Sequence, residues 1–322
     1  MLNDTAHYYV HFQELVGYSS FKLHPIFYID PSERFEPAFQ IYERLLANIS
    51  HHPYILINIS ALITTICTLY FLKKNTNHIA LLVFLLLCFQ TLLTHYNAMR
   101  QGLATCCIYI AIELFLNKKK FVAILLLIIA YYFHRTSVVM IPLLLFYYIG
   151  LSKKNIIFVS LLSLFCVSII GILFQRFFSD SIYYEQGLSR ASIALASILT
   201  TITTIIFCGI IYINRKNIEI NKRNQLFIWF SVLNISFGMM SIVFTALARL
   251  SGYLSPYILI ILVNSMFGKK SVIRHNYWLQ FVILFLLCRI IIVLIYKNEW
   301  FHIYPYSLFD FTQLYQQTNF GY

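Results

Sequence analysis

The stretch FVAILLLIIAYYFHRTSVVMIPLLLFYYIG, residues 121–150, decides how this chain crosses a membrane. It is apolar on both sides of a short polar segment, His134 to Ser137. As a single helix it would bury Arg135 near its middle, where a charge in hydrocarbon costs several kcal/mol. As two short helices it keeps these polar residues together in a turn. The sequence does not exclude the single helix, but the rest of the chain favours two.

Similar apolar runs occupy most of the chain. Of its 322 residues, 60% are hydrophobic and 11% are charged, whereas soluble domains carry about 25% charged residues. Runs of about 20 apolar residues cross a hydrocarbon core of roughly 30 Å. The sequence therefore predicts an all-α fold, a polytopic transmembrane helical bundle of about ten membrane helices. These are residues 53–72, 78–96, 98–117, 121–134, 136–150, 155–175, 191–213, 225–248, 250–267 and 277–297.

The basic clusters between these helices decide between the two interpretations. With two helices in residues 121–150, the lysine-rich clusters all fall on one side, which the positive-inside rule identifies as the cytoplasm. A single helix would place Lys118 and Lys153 on opposite faces. The clusters are Lys73–Lys74, Lys118–Lys120, Lys153–Lys154, Arg215–Lys216, Lys222–Arg223, Lys269–Lys270 and Arg274. Because these cations flank apolar runs, the net charge of +12 does not indicate nucleic-acid binding.

The two-helix interpretation also predicts the depth of the turn. A helix of about 14 residues spans roughly 21 Å, which is less than the hydrocarbon core. The His134–Ser137 turn is therefore expected to dip into the outer leaflet, where polar backbone is tolerated only if it lines a protein cavity.

Three regions follow from this topology. Residues 53–297 form the transmembrane domain, and the aromatic tail 298–322 lies outside the cytoplasm. Residues 1–52 contain no span, so we expect an extracytoplasmic segment and one more helix upstream of Met1. Within this segment we predict an amphipathic interfacial helix that has Pro37 in its first turn. Its apolar positions are Phe39, Tyr42, Leu45, Leu46 and Ile49.

Arginines at the outer helix ends are the first candidate functional residues, because a guanidinium binds phosphate through two parallel hydrogen bonds. Arg100 and Gln101 open a helix, whose N-terminus adds positive potential. The alternative for Arg100 is an interfacial side chain that snorkels to water. Arg249 likewise separates two apolar runs at the outer face, and Tyr253 follows it. Arg289 lies inside the last span, where it is either functional or paired structurally.

His134 and the outer carboxylates are the candidates for acid–base chemistry. His134, beside Arg135, could donate to a phosphate or act as a base; the alternative is a polar cap on two helix ends. Asp4, Tyr8 and Glu36 combine carboxylates with aromatic surface that could contact sugars, although acidic loop residues are commonly just solvated. No metal or cofactor motif is present, and the seven cysteines lie in apolar runs as small hydrophobes.

Taken in order along the chain, these motifs resemble the EpsG family. The resemblance rests on Asn3-Asp4-Thr5 with Tyr8-Tyr9 and Phe12, Glu36-Pro37, Arg100-Gln101-Gly102-Leu103-Ala104, Phe133-His134-Arg135-Thr136-Ser137 with Pro142, and Arg249 to Tyr253. The family is similar to Wzy-type polysaccharide polymerases. A helix upstream of the Asp-Thr element and a GT-C-like architecture are what the resemblance implies.

The resemblance implies a metal-independent membrane glycosyltransferase without cofactors, at the outer face of the bacterial plasma membrane. Its substrates would be polyprenyl-diphosphate-linked oligosaccharides of O-antigen, capsule or exopolysaccharide synthesis, and a chain-length regulator is a further candidate partner. Five residues are expected to bind the diphosphate: Arg100, Gln101, Arg135, Arg249 and Arg289. The expected base is His134 or Asp4. Acceptor or sugar contacts are expected from Tyr8, Glu36 and Tyr253. The alternatives are a lipid-linked oligosaccharide flippase or transporter and a membrane sugar acyltransferase.

Overall fold

The computed structural model describes residues 4–17, 25–163, 165, 191–243, 247–267 and 275–296, and every regular element within these ranges is helical. The α-helices are α1 (Asp4–Gly17), α2 (Pro37–Ala47), α3 (Tyr54–Asn75), α4 (Ile79–Cys88), α5 (Thr91–Asn97), α6 (Met99–Leu116), α7 (Lys120–Phe133), α8 (Met140–Leu143), α9 (Ala191–Ile213), α10 (Lys222–Val243), α11 (Ala248–Met266) and α12 (His275–Tyr296). Short 3-10 helices lie at Arg135–Val139, Leu144–Tyr147 and Arg215–Asn217. A further helical stretch covers residues 153–163.

Long apolar helices identify a multi-pass membrane protein. Four helical segments in the described ranges are long and apolar enough to cross a bilayer: Tyr54–Asn75, Met99–Leu116, Lys222–Ile242 and Tyr277–Ile295. The pair α4 and α5 makes a fifth if it counts as one bent span, and α7, Arg135–Tyr147 and Ser197–Ile213 are shorter apolar helices. The predicted number of ten membrane helices is therefore not confirmed.

Most predicted helix positions agree with the structure. The predicted helices 53–72, 98–117 and 191–213 correspond to α3, α6 and α9. The predicted break in residues 121–150 is confirmed, because α7 ends at Phe133 and His134 is extended, with φ −157° and ψ 114°. The predicted helix 155–175 lies mostly outside the described residues, as do the tail 298–322 and the cluster from Lys269 to Arg274.

One predicted helix, residues 78–96, is wrong as a continuous element. It bends by 67° between α4 and α5, and Gln90 at the break has a left-handed backbone with φ 67°. Arg289 of α12 donates from Nη1 to the carbonyl oxygen of Cys88 at 3.2 Å, and its guanidinium lies 5.1 Å from the centre of the Phe89 ring. A carbonyl freed by the bend thus gains a charged donor, which supports the structural alternative for Arg289.

The chain forms two compact units, one of Met1–Lys74, Leu87–Val138 and Leu284–Tyr322, the other of Asn75–Leu86 and Val139–Ile283. In the first unit, α6 packs along α7, and α2 packs against α1 and α7. In the second, α9, α10 and α11 pack against one another. Gly238 of α10 permits a close approach there, because a Cβ atom at this position would lie 2.5 Å from Thr201 Oγ1.

Helix α1 of the first unit has no counterpart among the predicted elements. Its Tyr8 and Phe12 are buried together with Phe39 of α2 and Leu56 of α3 in one apolar cluster. Helix α2 is the predicted amphipathic helix, although its Leu45 is 43% exposed. Its location at a membrane interface stays a prediction.

Candidate active site

Four chain segments meet at the first turn of α6. They are α1, the residues before α2, α6 itself and the turn that follows α7. Thr5 of α1 donates to the side-chain oxygen of Asn97 at 3.2 Å, which ties the beginning of α1 to the residues just before α6. The apolar cluster of Phe12, Phe39 and Leu56 also includes Met99 and Leu103 of α6. This packed apolar cluster fixes the positions of the helices that carry the polar side chains of the site.

Glu36 is at the centre of this site. Its backbone is extended (φ −67°, ψ 150°) and precedes Pro37, which opens α2 as prolines commonly do. Its side chain is buried and uses both carboxylate oxygens. Oε1 lies 3.2 Å from His134 Nδ1 and accepts the backbone N–H of Arg135 at 3.3 Å. Oε2 accepts a hydrogen bond from Arg100 Nη1 at 2.5 Å.

Arg100 is enclosed by aromatic side chains as well as paired with Glu36. Its Nε atom donates to the Tyr8 hydroxyl at 3.1 Å. The guanidinium carbon lies 4.8 Å from the centre of the Phe35 ring and 5.8 Å from that of Tyr8. Such cation–π contacts orient a guanidinium without neutralising it. The side chain is 21% exposed, and the described residues supply no hydrogen bond to Nη2. Part of the paired guanidinium therefore remains accessible.

The charge on Glu36 is stable. Burial opposes its ionisation, but the hydrogen bond from His134 and the charge of Arg100 outweigh burial and lower the pKa from 4.5 to about 2. The carboxyl group is therefore an acceptor for all its partners at neutral pH.

This pKa shift predicts how folding depends on pH. Because the folded pKa is depressed, the contribution of Glu36 to stability is complete above pH 4.5 and is lost as the pH falls toward 2. Glu36→Gln should therefore lower the melting temperature at neutral pH, and the difference from wild type should shrink below about pH 4.5. Thermal melts in detergent between about pH 3 and pH 7 measure this. Glu219→Gln, at an exposed carboxylate, is the matched control, and a constant difference for Glu36→Gln would contradict the prediction.

A second polar cluster, which we name the α1–α2 cluster, contacts Phe35 through the ring of His11. It consists of His11, Glu33, Glu43 and Arg44. His11 Nδ1 lies 3.4 Å from Glu43 Oε1, and Arg44 Nη2 lies 3.2 Å from Glu33 Oε1. Burial lowers the pKa of His11, but its acidic neighbours outweigh burial and raise it. Burial raises the pKa of Glu43 more than His11 offsets.

Comparison with known proteins covers far more of the chain than the short motifs do. The family model described as EpsG family matches residues 1–308, nearly the whole chain. The chain belongs to the EpsG family. No curated protein matches the chain, and no solved structure does. The matched range contains every residue of the site.

The fold of this EpsG-family chain brings five of its predicted site residues together: Tyr8, Glu36, Arg100, His134 and Arg135. Arg135 joins through its backbone N–H, and its side chain is exposed. Gln101 is adjacent in sequence and buried. The side chain of Asp4 lies outside the described residues, so its role as a base stays a prediction.

Three further predicted residues belong to other elements of the EpsG-family structure. Arg289 contacts the α4–α5 break. Arg249 and Tyr253 belong to α11 in the second unit, where Arg249 is exposed and Tyr253 is fully buried. Their roles in binding diphosphate or sugar stay predictions.

Phe35, His11 and Glu43 were not among the predicted site residues of this EpsG-family protein. A pattern in the sequence could have indicated Glu43, because Gln40 and Glu43 share one face of α2 and Glu36 stands four residues before Gln40. Phe35 and His11 carried no such pattern, since their importance depends on contacts with residues far along the chain.

Proposed function

We propose that this EpsG-family protein is a polysaccharide polymerase, a metal-independent membrane glycosyltransferase. It joins polyprenyl-diphosphate-linked oligosaccharide repeat units at the outer face of the bacterial plasma membrane. The observation that carries the proposal is the grouping of Arg100, Glu36 and His134. It combines a partly open guanidinium with a carboxylate–imidazole pair, in a chain matched to the family over residues 1–308.

The reaction needs two functions from the protein. The acceptor sugar hydroxyl attacks the anomeric carbon of the donor glycan, a new C–O bond forms, and the bond to the diphosphate oxygen breaks. The hydroxyl proton passes to a base, and polyprenyl diphosphate departs with the bond electrons. A general base and a cation at the leaving group are therefore required.

Arg100 is suited to the leaving-group side. Negative charge grows on the diphosphate as the bond breaks, and a fixed guanidinium stabilises that charge without reorganising at the moment of reaction. The bonds to Tyr8 and Glu36 supply this fixation, and Nη2 would be directed to the diphosphate. Proton acceptance falls to His134 or Asp4.

The proposal is tested by reconstitution. Purified protein in liposomes is given polyprenyl-diphosphate-linked repeat units extracted from a strain in which this gene is deleted. We expect a ladder of glycans, with one polyprenyl diphosphate released per bond formed. Protein-free liposomes and Arg215→Ala, at an exposed arginine of the second unit, are the controls. Translocation without chain growth, or incorporation of a labelled acyl group without chain growth, would refute the proposal in favour of a transporter or an acyltransferase.

A further inference from the structure

The segment before α2 contains an apolar turn, residues 25–29, which we name the apolar tip. The backbone N–H of Tyr28 donates to the carbonyl oxygen of Pro25 at 3.0 Å, which places Phe27 at a central position of the turn. The side chains of Phe27, Tyr28 and Ile29 are 84%, 55% and 41% exposed. Three consecutive large apolar side chains thus remain outside the protein core.

Two buried side chains of α2 hold this segment in place. Gln40 donates from Nε2 to the carbonyl oxygens of Asp30 at 3.0 Å and Phe35 at 2.8 Å, and its Oε1 accepts the N–H of Asp30 at 2.8 Å. One helical turn later, Arg44 donates to the carbonyl oxygen of Tyr28, and its guanidinium lies 5.0 Å from the centre of the Tyr28 ring. Because both side chains are buried, loss of these bonds would leave polar groups unsatisfied. The tip therefore cannot fold back against the protein without a large cost.

Contacts of α2 with two apolar helices show where this segment lies along them. The hydroxyl of Tyr42 is 3.0 Å from Ser60 Oγ of α3. Ser60 follows Tyr54, the first residue of this candidate span, by six residues, or about 9 Å along the helix axis. The Tyr42 ring is also 6.4 Å from that of Phe133, the last residue of α7. Helix α2, and the tip that Arg44 fixes to it, thus lie beside the ends of α3 and α7, where a bilayer surface meets these helices.

Exposed apolar side chains continue along the chain from α2 into the span. Leu45 of α2 and Ile49 after it are exposed, as are Leu62 and Ile66 of α3. In a helix that crosses a bilayer, such side chains contact lipid acyl chains. The apolar tip therefore belongs to a part of the chain that already includes a lipid-facing surface.

The polar residues that follow the tip favour lipid over other partners. A fixed and exposed apolar patch marks a contact with a membrane, a ligand or another protein. Directly after the tip, Asp30 accepts a hydrogen bond from the Ser32 hydroxyl at 2.6 Å, and Arg34 is exposed. An apolar part followed by a polar part is typical of a segment that lies in a membrane interface. A sugar site would instead place several polar groups among the rings.

We propose that the apolar tip inserts into the lipid leaflet next to the start of α3, and so anchors the segment that carries α1 and α2 to the membrane. Its partner is the acyl-chain region of the bilayer. Phe27 has the largest exposed fraction of the three side chains and supplies most of the inserted surface. This contact goes beyond the proposed function, because it requires neither substrate nor catalysis.

The test is photo-labelling of the wild-type protein in nanodiscs whose lipid carries a diazirine near the end of one acyl chain. Trypsin cleaves after Lys22 and Arg34, so the tip is recovered in the peptide of residues 23–34. Mass spectrometry then locates the adduct within this peptide. We expect adducts on residues 25–29 from the lipid probe and few from a water-soluble diazirine. The reverse result would overturn the inference, because the tip would then face water, a glycan or another protein.

A variant with a matched control tests the contribution of the aromatic side chain. Phe27→Ser should reduce lipid adducts on residues 23–34 by about tenfold or more, because the side chain that favours insertion is lost. Phe158→Ser, at a phenylalanine of the second unit that is 65% exposed, should leave the labelling of this peptide unchanged. Equal labelling of Phe27→Ser and wild type would contradict insertion of Phe27.

The labelling of the wild-type protein decides the outcome even if Phe27→Ser folds poorly, since it needs no substitution. Both measurements are made without substrate. A negative result therefore removes the membrane anchor and leaves the proposed polymerase function standing, whereas a failure of polymerisation leaves the anchor standing.

Discussion

Arg100→Gln is expected to reduce polymer formation by about 10²- to 10³-fold, the loss typical of removing one fixed donor from a developing anion. Among the described residues, Arg100 is the only arginine whose side chain contacts Glu36. No other arginine at this carboxylate can therefore take over its role. Arg100→Lys should recover only part of the rate, because an ammonium lacks the planar fork that binds Tyr8, Glu36 and a diphosphate together. Glycan length in membranes and the reconstituted rate both measure the effect.

Stability must be separated from catalysis in this experiment. Removing one partner of a buried ion pair costs about 3–5 kcal/mol, and the partial exposure of Arg100 places its loss toward the lower end or below. The double variant Arg100→Gln with Glu36→Gln removes the uncompensated carboxylate, so it should recover folded protein without recovering polymer. Arg215→Gln is the exposed control. Normal chain length in Arg100→Gln at wild-type membrane levels would contradict a role in diphosphate binding.

Gly102→Ala is expected to damage both folding and activity. A Cβ atom at Gly102 would lie 2.5 Å from the carbonyl oxygen of His95 and 3.4 Å from Thr64 Oγ1. The nearer atom belongs to the backbone and cannot rotate aside, so the first turn of α6 must move. Overpacking of this kind costs about 1–3 kcal/mol and occasionally more. Because Arg100 lies two residues earlier, a shift of about 1 Å could cost on the order of 10²-fold in rate.

Thermal melts and the polymerisation rate per folded molecule measure the two effects of Gly102→Ala separately. Gly209→Ala is the matched control, since a Cβ atom at Gly209 in α9 meets nothing within 4 Å. Alanine is favoured over glycine in helices by about 1 kcal/mol, so this control should be neutral or stabilising. Equal behaviour of the two variants would show that the close approach of α6 to His95 does not constrain the protein.

The sequence predicted the helices well where long apolar runs have charged ends. Helix α3 begins and ends within a few residues of the predicted 53–72, because Lys73 and Lys74 follow its apolar run directly. The bend at Gln90 was missed because Leu92 and Leu93 continue the hydropathy of α4 past the break. The hydrogen bond that holds the bend comes from Arg289, which lies about 200 residues further along the chain and donates to the carbonyl oxygen of Cys88.

The candidate site was predicted residue by residue but not as an arrangement. The resemblance to EpsG-type motifs selected Tyr8, Glu36, Arg100 and His134 separately. Their pairing joins positions that are 64 to 98 residues apart, a separation that no local pattern reports. Helix α1 was missed although Tyr8, Tyr9 and Phe12 recur at helical spacing, because polar residues such as His7 and Gln13 dilute its hydropathy.

The long separations within the site constrain the order in which the protein matures during synthesis. Tyr8 and Arg100 are 92 positions apart, and Glu36 and His134 are 98. A ribosome must therefore produce α7 and the turn after it before Glu36 can reach its second partner. Until then the loop closure that this contact requires has not cost any entropy, and Oε1 of Glu36 has neither of its partners from the turn after α7. Chain release before His134 would yield a fragment in which Glu36 lacks the histidine and the turn that complete its contacts, which makes it a substrate for membrane quality control.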